Sequence, residues 1–202
     1  MKKVSILLLP ALCFSACLKL GDDLPSNEFH ITGRVLAYGT NEPVAGAIVR
    51  ALECTGVDSF TDPCIFRTVA TDTTDAEGRY EFDAKNALLV SATKDNYSSR
   101  NAEETVDGGS GERKIDIVIQ PYAWLNITLT NKSDFPYVSY STNSNYNAII
   151  PKDSLYSYSY KVLGNDREKI YIKVSDISGK YKEIYDTIYC PGLDTTFHHI
   201  TY

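Results

Sequence analysis

Histidine, methionine and tryptophan are all scarce in this chain of 202 residues, which has three histidines and one each of the other two. Two of the histidines, His198 and His199, are adjacent, and neighbours in a strand project to opposite faces, so the pair cannot meet one metal ion. No G-x-S-x-G elbow, H-E-x-x-H pair or Walker loop occurs anywhere in the sequence. Carboxylate pairs such as Glu103-Glu104 fall in polar, loop-like sequence, where an acidic chain places them by chance. The residues therefore point to no catalytic set, no metal site and no cofactor. Positive charge is also in deficit, with 20 Lys and Arg against 26 Asp and Glu and a formal charge of −6. Nucleic-acid binding rests on neutralising phosphates with Lys and Arg, so that balance argues against it. Long hydrophobic runs are missing as well. The most apolar stretch, Val4 to Phe14, falls short of the ~20 residues of a spanning helix.

That stretch has another reading. Lys2 and Lys3 precede it as a basic region, and Ser15-Ala16-Cys17 follows with small residues ahead of a cysteine. This is the arrangement of an export signal. It resembles a bacterial lipoprotein signal, with Phe14 where such signals usually carry Leu. The resemblance implies cleavage after Ala16 and acylation of Cys17. The alternative is a plain secretory peptide with an incidental thiol. Acyl chains contribute about 0.8 kcal/mol per buried methylene, so several on one cysteine would anchor the protein to a membrane without spanning it. Lys19 and Asp22-Asp23 resemble the sorting signal that some Bacteroidota lipoproteins carry to the cell surface. The expected location is the outer membrane, facing outward. Loss of Lys2 and Lys3 with the signal would take the charge from −6 to −8.

Of the five cysteines, Cys13 would leave with the signal and Cys17 would be acylated, so Cys54, Cys64 and Cys190 remain. Export permits disulfides. Cys54 and Cys64 bracket the turn-rich stretch "TGVDSFTDP", and a bridge between them would leave Cys190 free. Two free thiols, or a pairing with Cys190, are the other arrangements.

Beyond residues 17–28, which read as a polar tether, the chain alternates. "FHITGRVLAYGTNEPVAGAIVRALE" reads as strand, turn, strand, "FRTVATD" as a third strand, "DAEGRYEF" as a turn into a fourth, and "ALLVSATK" as a fifth. "EETVDGGSGER" reads as a loop and "KIDIVIQ" as the closing strand. Fifteen tyrosines, with many Thr and Val, favour strands throughout. Gly46 and Gly78 stand where turns call for positive φ or for no side chain, and Tyr80 and Phe82 share a strand face that would fill a sandwich core.

The order G-x-V, P-V-x-G-A-x-V, T-D-x-x-x-x-x-G-x-Y-x-F and V-x-A-x-K-x-x-Y occupies Gly33, Val35, Pro43, Val44, Gly46, Ala47, Val49, Thr71, Asp72, Gly78, Tyr80, Phe82, Val90, Ala92, Lys94 and Tyr97. It resembles the carboxypeptidase-regulatory-like, transthyretin-related module. The resemblance spans about residues 29–120 and implies a β-sandwich of transthyretin-like or immunoglobulin-like type. It implies no peptidase, because in carboxypeptidases this module is an accessory to the catalytic domain.

Residues 121–202 read as a second β-sandwich of no recognised family, with Pro121 at the junction. "PYAWLNITLTNKS" sets Leu125, Ile127 and Leu129 on one face. "KIYIKVSD" aligns Ile170, Ile172 and Val174, and "EIYDTIYC" and "TTFHHITY" supply two more strands. "SLYSYSYKV" aligns Tyr156, Tyr158 and Tyr160, which either fill the inner face of their strand or form an aromatic platform for a sugar ring or a protein partner. Asp-Ser/Thr stretches at Thr73, Ser154, Thr187 and Thr195 resemble O-glycan acceptor sites of Bacteroidota.

The fold class expected is all-β, as two tandem sandwiches behind a signal peptide (residues 1–16) and a tether. The function expected is a non-catalytic, membrane-anchored binding or assembly module of the cell envelope, with an outer-membrane complex or a glycan as partner. A carbohydrate-binding lipoprotein for nutrient capture is the first alternative, marked by an exposed tyrosine cluster. An unrecognised hydrolase is the second, marked by a pocket that joins a histidine to a carboxylate.

Overall fold

The structure, a computed structural model, describes residues 27–56, 64–99, 102–141 and 145–202. Cys17, the signal segment and most of the tether lie outside the described residues, as does the stretch 57–63 between the two loop cysteines. The described residues form strands and turns, and none of them builds a helix long and apolar enough to cross a membrane.

Eight strands come first: β1 (Glu28–Ala37), β2 (Ile48–Cys54), β3 (Phe66–Thr73), β4 (Arg79–Lys85), β5 (Leu89–Thr93), and the short β6 (Tyr97–Ser98), β7 (Glu103–Thr105) and β8 (Gly111–Lys114). Strict alternation in β1 buries Phe29, Ile31, Val35 and Ala37, and in β4 it buries Tyr80, Phe82 and Ala84. These two strands pair antiparallel. Their inner face packs against the sheet β3-β2-β5-β7, which supplies Val49, Ala51, Val90 and Ala92 to the same core. Tyr80 and Phe82 stack at 5.6 Å between centroids inside it. The stretch read as a loop, "EETVDGGSGER", instead holds β7 and most of β8, because Glu103–Thr105 finds an open edge on β5 and Gly111–Lys114 a parallel place beside β1.

The next strand, β9 (Ile117–Thr130), joins two segments that the sequence reads as separate strands. Its inward residues run Ile117, Ile119, Pro121, Ala123, Leu125, Ile127 and Leu129, all buried, and the alternation passes through Pro121 without a break. What changes at Pro121 is the partner. Before it, Ile117 to Ile119 pair parallel with β1. Beyond it come six further strands: β10 (Tyr137–Ser141), β11 (Asn145–Ile149), β12 (Leu155–Leu163), β13 (Asp166–Ser175), β14 (Tyr181–Cys190) and β15 (Thr195–Thr201). From Tyr122 onward β9 pairs antiparallel with β12, and from Trp124 parallel with β15. Proline has no N–H to give a ladder, so it suits the position where one set of partners ends and another begins.

The β12-β9-β15 face packs on a second sheet, β11-β10-β13-β14, around a separate core of Leu125, Ile127, Leu129, Ile170, Ile172 and Val174. The fold is therefore all-β, two sandwiches with β9 in common. The hairpin of β10 and β11 has no counterpart in the sequence reading.

Asn165, with φ of 55°, ties the junction. Its side-chain Nδ2 donates to the Tyr38 carbonyl at 2.9 Å, and its Oδ1 accepts from Gly192 N at 2.7 Å. Gly164 N donates to the Pro121 carbonyl at 2.7 Å. Gly192 lacks a side chain for a packing reason, since a Cβ there would come within 2.4 Å of the Pro121 ring.

Gly33 is the tightest approach in the first sandwich. A Cβ on it would fall 1.7 Å from the Ile115 carbonyl oxygen, the same oxygen that accepts the Tyr80 hydroxyl at 2.6 Å. Gly33→Ala is predicted to destabilise the protein by about 3 kcal/mol, because backbone and not a flexible side chain must move. Gly56→Ala, with nothing within 4 Å of the added carbon, should stay within about 0.5 kcal/mol. Urea unfolding of the two variants beside the parent measures both.

Candidate functional site

Cys54 and Cys64 are joined as a disulfide with Cα atoms 5.5 Å apart. At the base of the stapled loop, Thr55 N donates to the Ile65 carbonyl and Ile65 N to the Gly56 carbonyl. Beside it, Arg67 pairs with the buried Glu53 carboxylate. Cys190 is the free cysteine among the described residues. It is buried, which raises its thiol pKa and keeps it unreactive.

Tyr156, Tyr158 and Tyr160 lie half-buried along β12, on the side that also carries the buried Val162. They pack against the second core, with Tyr158 and Tyr160 stacked at 5.7 Å and Tyr156 and Tyr158 at 6.0 Å. Burial, and then the neighbouring tyrosines, push the Tyr158 hydroxyl well above its ordinary value. The structure thus places this row as filling between the sheets.

The aromatic surface lies elsewhere, on a strand the sequence reading left without a role. In β14 the inward positions are Ile184, Ile188 and Cys190, so the opposite parity faces outward. Tyr181, Tyr185 and Tyr189 stand there 56%, 71% and 49% exposed. Parity alone could have found them, since Ile184 and Ile188 mark the inner face of "EIYDTIYC". Across the ladder, Tyr171 of β13 sits opposite Tyr185 with ring centroids 5.0 Å apart. One carboxylate holds both rings: Tyr171 donates to Glu183 Oε1 and Tyr185 to Oε2, each at 2.9 Å. The Glu183 hydrogen bond is the main reason the Tyr171 hydroxyl is pushed up to about 12 and the Tyr185 hydroxyl is also raised. The Lys173 ammonium lies 4.1 Å above the Tyr181 ring. The face continues onto β10 and β11 as a groove lined by Tyr137, Ser139, Asn147, Ile149 and Lys173. On the outer side of the other sheet, Trp124 and Phe197 are exposed as well.

The histidines occupy three unconnected places. His199 Nε2 contacts Thr130 Oγ1 at 2.7 Å on the outside of β15. His198, on the other side of the same strand, reaches Asp186 of β14 at 2.7 Å across the open edge of the sandwich. Hydrogen bonds from Thr187 N and then from His198 hold the Asp186 carboxyl below the usual range. His30 lines a surface groove with Asp83, Lys85 and Glu112, so a groove that joins a histidine to a carboxylate does exist. Its ring, however, has Asp83 at 2.8 Å from Nδ1 and Glu81 at 3.4 Å from Nε2. That setting favours imidazolium with both N–H groups directed at carboxylates, an arrangement poor for a general base. Among the described residues no group of three or more His, Cys, Asp or Glu side chains is placed to hold a metal. Of the O-glycan-like positions, Thr73, Thr187 and Thr195 are exposed and Ser154 is half-buried.

The hydrogen bond to Asp83 raises the His30 pKa above 6.5. The stability this pair contributes is therefore fully present below about pH 6.5 and is lost as pH rises through the raised value. An NMR titration should show a His30 midpoint above 6.5 in the parent, and one that returns toward 6.5 in Asp83→Asn.

No protein-family model and no curated protein matches this chain. Among solved structures it is similar to the Bacillus anthracis TIE protein, at 9% identity over 87% of this chain and 34% of that one, with a TM-score of 0.38. It is also similar to a minor pilin of Streptococcus agalactiae, at 12% identity over 87% and 95% of the two chains and a TM-score of 0.35. A leucine-rich repeat protein from Bacteroides thetaiotaomicron aligns at 9% identity over 88% of this chain and 26% of its own, with a TM-score of 0.27. The chain thus spans about a third of the first of these proteins and about a quarter of the third.

Proposed function

We propose that this chain is an exported, lipid-anchored module of the bacterial cell envelope that binds or assembles with a partner and performs no reaction of its own. The observation that carries the reading is the outer face of β13 and β14. Three tyrosines stand exposed there on one strand and a fourth is braced beside them, at a cost in solvated aromatic surface that folding does not require. The inner faces of both sandwiches are filled, and the tyrosines of β12 are used in that filling.

The anchor follows from Lys2, Lys3, the apolar run to Phe14 and Cys17. A polar tether of about a dozen residues would set the first sandwich off the membrane, and the second sandwich would carry the aromatic face. The first sandwich serves in this reading as a carboxypeptidase-regulatory-like spacer. The orientation proposed is outward from the outer membrane.

The carbohydrate-binding version of this reading is favoured by one specific observation. Tyr181, Tyr185 and Tyr189 are exposed along one strand, on an open surface. The hydrolase reading would rest on the His30 groove, and there the imidazole is engaged by two carboxylates.

The test is the intact mass of the protein from the membrane fraction beside a Cys17→Ala variant, with protease treatment of whole cells. A mass that begins at Cys17 and carries acyl chains, together with loss of the protein on shaving, is the expected result. An unacylated mass, or full protection from the protease, would overturn the envelope-surface reading.

A further inference from the structure

The outward residues of β13 and β14 form two parallel rows of different chemistry. On β13 they run Arg167, Lys169, Tyr171, Lys173 and Ser175, and on β14 Tyr181, Glu183, Tyr185, Thr187 and Tyr189. The register sets Arg167 opposite Tyr189, Tyr171 opposite Tyr185, and Lys173 opposite Glu183. The cationic row thus lies one strand spacing, about 4.8 Å, from the aromatic row. Successive outward residues on a strand are about 6.8 Å apart, so Lys169 and Lys173 stand about 14 Å apart, as do successive tyrosines of β14. The rows hold three cations and one carboxylate, in a chain whose overall charge is −6. That carboxylate, Glu183, has an oxygen on each of two tyrosine hydroxyls, so it acts as a brace for the rings.

We propose that this face binds an acidic polysaccharide, a linear polymer of uronic or sulfated sugars, with sugar rings stacked on Tyr181, Tyr185 and Tyr189 and acidic groups paired with Arg167, Lys169 and Lys173. The inference rests on the binding-module reading above and names its ligand class. The charge argument is complementarity: the face is locally positive where the molecule as a whole is negative. The shape argument is that the site is open and linear. A protein partner usually needs a central pocket into which an anchor side chain is buried, whereas a chain of rings needs only faces to lie on and charges at intervals. Tyr171 and Tyr185 are tied by Glu183 before any ligand arrives, which lowers the ordering cost of binding.

The experiment is affinity electrophoresis of the full mature chain carrying Cys17→Ala. The gels contain polygalacturonate, its carboxyl-reduced form, heparin, neutral dextran, polyglutamate or single-stranded DNA. The expected result is retardation by polygalacturonate or heparin that weakens with added salt. It should fall at least tenfold in Lys169→Glu/Lys173→Glu and in Tyr185→Ser, and be slight with dextran and with the carboxyl-reduced polymer. All three residues are partly or fully exposed. Lys169→Gln/Lys173→Gln is a milder second variant should charge reversal disturb the fold, which circular dichroism reports.

Retardation by neither acidic polysaccharide would overturn the proposal. So would equal retardation by dextran, stronger retardation by polyglutamate or DNA, or binding undiminished in the folded variants. The two proposals fail separately. A surface-anchored protein that ignores acidic polysaccharides refutes the ligand class alone, and a protein that binds them but carries no acyl chain refutes the anchor alone.

Discussion

β9 has to satisfy two cores at once. Its first inward residues, Ile117 and Ile119, close the core of the first sandwich, and Leu125, Ile127 and Leu129 close that of the second. Full burial of a side chain of this size contributes roughly 1.5–3 kcal/mol, so the strand gains on both sides of Pro121. A one-residue slip anywhere along it would turn those side chains outward in both halves. The register of β1 on one side, and of β12 and β15 on the other, is therefore set by the same alternation. Pro121 sits where the partners change; Gly164 and Gly192 close around it where an added Cβ would not fit, and the Asn165 side chain accepts from Gly192 N.

The exposed aromatic face follows from that constraint. With β9 fixed in the middle of one sheet, the facing sheet must offer Ile170, Ile172 and Val174 inward to complete the second core. Alternation then puts Arg167, Lys169, Tyr171 and Lys173 outside, and the register with β14 lines up its own outward tyrosines beside them. Hydrophobic burial positions the rows, and the Glu183 carboxylate holds two of the rings in place. The histidines have no comparable convergence, since each is engaged by a different neighbour.

Much of this architecture could be read from the chain because alternation of period two is a local signal. It places β1, β2, β4, β13 and β14 close to where they lie, and it picks out Tyr80 and Phe82 as core. It is silent on pairing that is distant in sequence. The parallel contacts of β9 with β1 and β15, which bring residues 117–119 beside 35–37 and 124–130 beside 195–201, leave no pattern in either segment. A proline in mid-strand likewise reads as a boundary, although at Pro121 it marks a change of partners inside one strand. The tyrosines show the limit most plainly. Tyr156, Tyr158 and Tyr160 alternate with serines and attract notice, yet they face the core. Tyr181, Tyr185 and Tyr189 are spaced four apart among charged residues, and their exposure becomes evident only once Ile184 and Ile188 are assigned to the inside.

Native-state hydrogen exchange along β9, compared between the parent protein and Ile127→Ala, tests the sharing of one strand by two cores. The substitution removes a fully buried side chain from the second core alone, at a cost of about 2–5 kcal/mol. If the strand couples the sandwiches, protection should fall at the amides of Ile117 to Ile119 as well as beyond Pro121. Unchanged protection before Pro121, with loss confined to Tyr122 to Thr130, would contradict the account and make the two sandwiches independent units.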